Sequence, residues 1–162
     1  MARKWKIILS VICIASVIGI SLMRAKNNIP LLDGLYWDMS PAQASRVLGS
    51  GQLIDENSCD TGKNIYQYHT TAFGQDATVT CSFLNDRKLT DFEFVWEDCA
   101  VDLSDRVYNC LYDHYGSKED FFFDKDLAAQ TICIGTNNGV TGVFYTIAKD
   151  GTTLRVSCVH NA

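Results

Sequence analysis

Residues 89–96 read L-T-D-F-E-F-V-W, with Phe92, Phe94 and Trp96 alternating with Asp91 and Glu93. A period of two is the signature of a strand with one face buried and one wet. Working backwards, Asn85-Asp86-Arg87 turns the chain into 78–84 (T-V-T-C-S-F-L), where Val79, Cys81 and Phe83 supply a matching inner row. Before it, A-F-G-Q-D-A (72–77) carries the glycine of a turn, and 64–71 (N-I-Y-Q-Y-H-T-T) is rich in aromatic and β-branched residues. Three consecutive antiparallel strands are expected. The phase of the first stays open: either Gln67 and His69 or Tyr66 and Tyr68 face outward.

Upstream, residues 34–49 read G-L-Y-W-D-M-S-P-A-Q-A-S-R-V-L-G. Ser40 is a strong N-cap, Pro41 suits the first helical position, and Gln43 completes a capping box. Gly49 supplies the stop. A short helix follows, with Ala44, Val47 and Leu48 on its buried face and Met39 as a staple. The same order then runs again. Val101 to Tyr115 has Leu103, Val107, Cys110 and Leu111 at helical spacing, Asp102 as N-cap and Gly116 as the stop. Strands are expected at about 130–135, 142–148 and 153–160, with N-G and D-G turns between them. A shift of 64 lays Phe92 on Val156 and Phe94 on Cys158. The expected fold is α+β: an N-terminal membrane helix, then two repeats, 35–98 and 99–162, of a helix plus three strands. Together they would form one six-stranded antiparallel sheet with both helices on one face.

The N-terminus reads as a targeting signal. Arg3, Lys4 and Lys6 precede an uncharged stretch from Ile7 to Met23, and Arg24 and Lys26 follow it. Its length favours an uncleaved anchor over residues 1–27, spanning the membrane through 7–23, with residues 28–34 as a tether. Gly19-Ile20-Ser21 leaves cleavage and secretion open. The basic flank places the N-terminus in the cytoplasm and the body, 35–162, outside as a single-pass protein's extracytoplasmic domain.

Of 14 basic residues, five lie in that leader, so residues 28–162 keep nine against 19 acidic side chains, a formal charge of −10. Such a body repels phosphate backbones, which argues against nucleic acid and for a protein or peptide partner of basic character.

The run Trp37-Asp38-Met39-Ser40, the short helix closed by Leu48-Gly49, and the cysteine and hairpin after it resemble the tandem-repeat modules of β-lactamase-inhibitor proteins. They also resemble the small outer-membrane assembly lipoproteins of the SmpA/OmlA type. The resemblance implies a non-catalytic extracytoplasmic module gripping a protein with the exposed face of its sheet; with the N-terminal anchor, the expected function is a membrane-tethered module with an inhibitory, assembly or recognition role. By position that face would carry Gln67, His69, Thr80, Ser82, Asp91 and Glu93, with Tyr66 and Tyr68 as anchors in the other phase. The family places one disulfide inside each repeat. With the duplication this suggests Cys59–Cys81 and Cys110–Cys133, leaving Cys99–Cys158 between repeats.

Catalytic signatures are sparse. No two cysteines are spaced C-x-x-C, and His69, His114 and His160 share no metal spacing. There is no G-x-S-x-G elbow, and G-T-N-N-G-V-T-G (135–142) lacks the Lys-Ser/Thr of a phosphate loop. Asp120, Asp124 and Asp126 lack the glutamate and glycine of a calcium loop. No cofactor or metal is expected, and a small exported hydrolase with an acidic cleft is the competing reading. Phe122, in Phe121-Phe122-Phe123, is expected to point outward as a further partner contact.

Overall fold

A computed structural model describes residues 28–56, 62–100, 102–116, 121–126, 131–136, 141–147 and 152–160. Helix α1 (Pro41–Leu48) is followed by strands β1 (Gln52–Asp55), β2 (Lys63–Ala72), β3 (Gln75–Leu84) and β4 (Lys88–Trp96). Helix α2 (Leu103–Leu111) widens into a π-type turn (Tyr112–Gly116). Strands β5 (Phe121–Asp126), β6 (Thr131–Thr136), β7 (Thr141–Ile147) and β8 (Leu154–His160) complete the chain. β5 and β6 are described by their backbone.

The strands form one antiparallel sheet of eight, in the order β1-β2-β3-β4-β8-β7-β6-β5. This corrects the expected fold class in two ways. First, there are eight strands, not six. β1 (Q-L-I-D) is exposed at all four positions and so carries no burial rhythm, and β5 (F-F-F-D-K-D) runs apolar then charged instead of alternating. Second, no helix among the described residues is long and apolar enough to cross a membrane. The stretch 7–23 lies outside the described residues.

The strand order is a palindrome, with the last strand of each half at the centre. The pairing Thr80↔Glu93 between β3 and β4 becomes, shifted by 64, Phe144↔Ser157 between β7 and β8; Val79↔Phe94 becomes Val143↔Cys158. Glu93 itself pairs with Ser157, its own equivalent. A pseudo-two-fold axis therefore passes between Glu93 and Ser157, and β4 and β8 are the joint between the halves.

Both helices lie on the face occupied by Val79, Cys81, Phe92, Phe94, Trp96, Val156 and Cys158. Ala44 and Leu48 from α1 and Leu103, Val107 and Leu111 from α2 enter the same core. The Tyr145 hydroxyl crosses from sheet to helix and donates to the Ser104 carbonyl at 2.9 Å. At α1 the capping box forms: the Ser40 hydroxyl accepts from the Gln43 N–H, and the Gln43 Oε1 accepts from the Ser40 N–H at 2.8 Å. Gly49, at φ 91°, ends the helix with its N–H on the Ser45 carbonyl. Val47 is half-buried, whereas Ala44 and Leu48 are fully enclosed.

Asp102 does not cap α2. Its backbone is already helical (φ −83°, ψ −12°), and its carboxylate instead pairs with Arg106 one turn on, at 3.1 Å. Nor are residues 28–34 a bare spacer. Ile29 and Leu31 are buried, and the Ile29 N–H donates to the Leu35 carbonyl at 2.9 Å. Asn28 and Pro30 suggest a linker by composition, but Ile29 and Leu31 on either side of the proline pack into the core.

Gly51 makes a sharp packing prediction. A Cβ there would lie 2.3 Å from the Tyr68 ring, which is fully buried beneath α1. Gly51→Ala is therefore expected to destabilise the fold by about 1–3 kcal/mol through overpacking. Urea unfolding checks it, with Gly74→Ala, a turn glycine whose surroundings are open, reporting only backbone strain.

Candidate binding face

Because both helices cover one side, the other side of the sheet is free of covering elements among the described residues. Register fixes which positions share that side. One row runs Gln52, Gln67, Thr80, Glu93, Ser157, Phe144 and Cys133. A flanking row runs His69, Thr78, Val95, Arg155 and Thr146; another runs Ile65, Ser82, Asp91, Val159, Gly142, Gly135 and Phe122.

The first half of this face is polar and cross-linked. Lys63 pairs with Asp91, whose carboxylate also accepts from the Thr90 hydroxyl at 2.8 Å. Glu93, on the pseudo-dyad, accepts from the Ser157 hydroxyl at 2.9 Å and from Arg155 at 3.3 Å. These bonds hold two carboxylates in fixed positions, and each half-exposed pair adds little net stability. The second half is more apolar. Phe144 remains 45% exposed, its ring lying over Gly142, where a Cβ would approach it to 3.4 Å.

Toward the β2–β3 hairpin the face sinks into a recess of about 440 Å³, lined among others by His69, Thr71, Asp76, Thr78, Val95 and Glu97. The Thr71 hydroxyl donates to Asp76 at 3.3 Å, and the Thr78 hydroxyl lies 3.4 Å from His69 Nδ1. A wider groove, about 660 Å³, lies on the helix side between Phe73, Arg106, Asn109, Asp113 and His114. There the Cys110 thiol donates to the Pro30 carbonyl at 3.3 Å; burial, with Asp113 beside it, pushes this thiol's pKa up and away from nucleophilic character. Among the described residues no group of three or more His, Cys, Asp or Glu side chains is placed to hold a metal ion.

The structure settles the phase of the first long strand. His69, Asp91 and Glu93 belong to the open face, along with Gln67, Thr80 and Ser82. Tyr68 is on the opposite face and fully buried, so it cannot anchor a partner. Burial pushes its phenol up to about 12, with Ser45 of α1 pulling the other way. Tyr66 is half-buried on that same inner face, edge-on to Phe83 at 5.6 Å, with its hydroxyl donating to Asp86 at 3.4 Å. The period-2 pattern could not choose the phase, since both alternatives place polar and aromatic residues on opposite sides. Phe122 occupies an open-face register position opposite Gly135.

The cysteines are placed differently from the suggested framework. Among the described residues, Cys81, Cys110 and Cys158 are free thiols. Cys99 pairs its N–H with the Thr152 carbonyl at 2.9 Å, and Cys158 lies six residues farther along the strand, about 20 Å away. A disulfide spans no more than about 7 Å between Cα atoms, so Cys99–Cys158 is excluded. Cys81 and Cys158 both face the core but flank Phe92 from opposite sides, about 10 Å apart. Cys59 lies outside the described residues and Cys133 is described by backbone only, so their suggested pairings to Cys81 and Cys110 fall outside this description. Peptide mapping under non-reducing conditions is expected to find neither a Cys99–Cys158 nor a Cys81–Cys158 link. Finding either would contradict the register.

The residues that sequence reasoning passed over are Asp76, Glu97, Phe144, Arg155 and Ser157. Extending the alternation of 89–96 into 153–160 would have put Arg155 and Ser157 on the wet face. Asp76 gave no signal beyond its place in a turn. The chain matches no protein-family model, no curated protein and no solved structure.

Proposed function

We propose that this chain is a non-catalytic, extracytoplasmic protein-binding module, held at the membrane by its N-terminal segment, that grips a basic protein or peptide with the open face of its sheet. One observation carries the reading: a wide sheet face that no helix among the described residues covers, spanning both halves, with ordered carboxylates at its centre and an exposed aromatic at its flank. A rigid polar centre flanked by an exposed aromatic offers a partner fixed charge and a large apolar contact side by side. The formal charge of −10 on residues 28–162 would speed the approach of a basic partner and repel an acidic one. The reading agrees with what the resemblance to β-lactamase-inhibitor-like modules implies.

Crosslinking in intact membranes followed by purification tests it. A stoichiometric protein partner should be recovered, and the double charge reversal Asp91→Lys/Glu93→Lys should weaken its capture at least tenfold. Thermal melts distinguish this loss from unfolding. Unchanged capture after altering the whole open face would defeat the assignment.

A further inference from the structure

The sheet ends in two edges, β1 and β5, which the palindromic strand order makes equivalent but whose sequences differ in kind. A strand at the end of a sheet carries a row of unpaired N–H and C=O groups, and such edges are commonly guarded by brevity, bulges or charge. β1 has all three guards: it is four residues long, its register with β2 shifts between Leu53 and Asp55, and it ends in the exposed pair Asp55-Glu56. β5 is six residues long and opens with three phenylalanines. It pairs with β6 at every position from Phe121↔Thr136 to Asp126↔Thr131, without a shift. Its other edge pairs with no strand among the described residues.

Register also decides which positions an added strand would meet. Three rows of the open face end on β5: the row of Asp91 and Val159 at Phe122, that of Glu93 and Ser157 at Asp124, and that of Val95 and Arg155 at Asp126. Phe121, Phe123 and Lys125 hold register positions of the helix-covered side. Directly opposed residues stabilise a sheet when they are opposite in charge or both aromatic. An antiparallel ninth strand, the sense of every other pairing here, is therefore favoured when it runs basic-x-basic-x-aromatic from its N-terminus. Its two cations then stand opposite Asp126 and Asp124, and its aromatic stands opposite Phe122. A second copy of this chain does not meet that pattern. Each body carries −10, and antiparallel alignment of β5 with itself about Asp124 or Phe123 sets a carboxylate against a carboxylate or against Phe122.

Resting on the binding-face reading above, we infer that an extended basic-x-basic-x-aromatic segment of the protein partner adds antiparallel to the free edge of β5 as a ninth strand. Main-chain hydrogen bonds supply the hold, and Phe122, Asp124 and Asp126 select the sequence. The added strand prolongs the three rows of the open face, so it leads the rest of the partner across that face toward Phe144.

The test titrates the full chain at low salt with the fluorescein-labelled peptide Thr-Arg-Thr-Arg-Val-Phe-Thr-amide and with the same residues in reverse order. The reversed peptide should bind at least fivefold more weakly, since it sets Phe opposite Asp126. Successive amides of a strand point to opposite edges, so N-methylation of one alternate set in the forward peptide should abolish binding, and of the other set should change affinity less than threefold. Asp124→Asn/Asp126→Asn should weaken binding at least tenfold. Asp33→Asn/Asp55→Asn, which removes the same charge from exposed positions away from β5, should change it less than twofold. Equal affinity for both orders, equal effects of the two methylated sets, equal loss in the two variants, or failure of the forward peptide to bind would each overturn the inference. Partner capture separates the two levels, and its loss both in Asp124→Asn/Asp126→Asn and in Asp91→Lys/Glu93→Lys is the expected result. If capture ignores the first variant but is lost in the second, the edge assignment falls and the face stands; if it ignores both, the face itself falls.

Discussion

Phe94→Ala is expected to cost about 3–5 kcal/mol and to lower the melting temperature by roughly 10 °C. Phe94 is fully buried in β4, opposite Val79 on one side and Val156 on the other. Its ring is edge-on to Phe92 at 5.6 Å and stacked on Trp96 at 5.4 Å, and Trp96 in turn donates its indole N–H to the Ala72 carbonyl at 3.3 Å. The cavity left by truncation cannot collapse easily, because the neighbours are held by sheet pairing on both flanks. Since β4 joins the halves, the loss should be felt by both at once. Urea unfolding followed by tryptophan fluorescence and by far-UV circular dichroism should shift together as a single transition. Separate transitions, with one half surviving, would show that the β4–β8 pairing is not the structural joint.

Stability should fall steeply in alkali, beginning near pH 9. Burial pushes the Cys81 thiol up to about 12 and the Tyr68 and Tyr145 phenols up to about 12; Ser45 and Ser104 respectively oppose the shift of the phenols. Burial also raises the Cys158 thiol and the Tyr115 phenol. In the unfolded chain these groups lose their protons near pH 9 for the thiols and near pH 10 for the phenols. Each pKa is higher in the folded state, so the stabilisation is complete below the unfolded value and lost as pH rises toward the folded one. At 1.36 kcal/mol per unit, each of the two phenols at about 12 withdraws roughly 2–3 kcal/mol, and together they approach the lower end of an ordinary domain's whole stability. Urea midpoints should be level between pH 7 and 8.5 and collapse by pH 11. Phenolate absorbance should show the buried tyrosines ionising only as the chain unfolds. Their titration at ordinary pH in the folded protein would contradict the burial of the inner face.

Much of this architecture was written in local pattern. The alternation of Phe92, Phe94 and Trp96 with Asp91 and Glu93 gave β4 its buried and wet faces, and Ser40, Pro41 and Gln43 gave α1 its start. β1 and β5 escaped because edge strands need not alternate: Leu53 and Ile54 are both substantially exposed, and the phenylalanines of β5 are consecutive. Residues 28–34 escaped because a short irregular segment can contribute Ile29 and Leu31 to a core without any period. The duplication was visible as a shift of 64, but its consequence was not, since local order cannot say that the last strands of two repeats become neighbours. That neighbourhood is what brings Ser157 and Arg155 to Glu93. The disulfide framework came from family likeness, and register, which sequence spacing does not contain, removes Cys99–Cys158.

The central claim is that contact with a partner is made by the open face of the sheet and not by its helical side. Photo-crosslinking residues placed singly at Thr80, Ser82, Phe144 and Ser157 on the open face, and at Arg46, Asp105 and Asn109 on the helices, test it most directly. The account predicts partner adducts from the first group and none from the second. Adducts from the helix positions with a silent open face would contradict it.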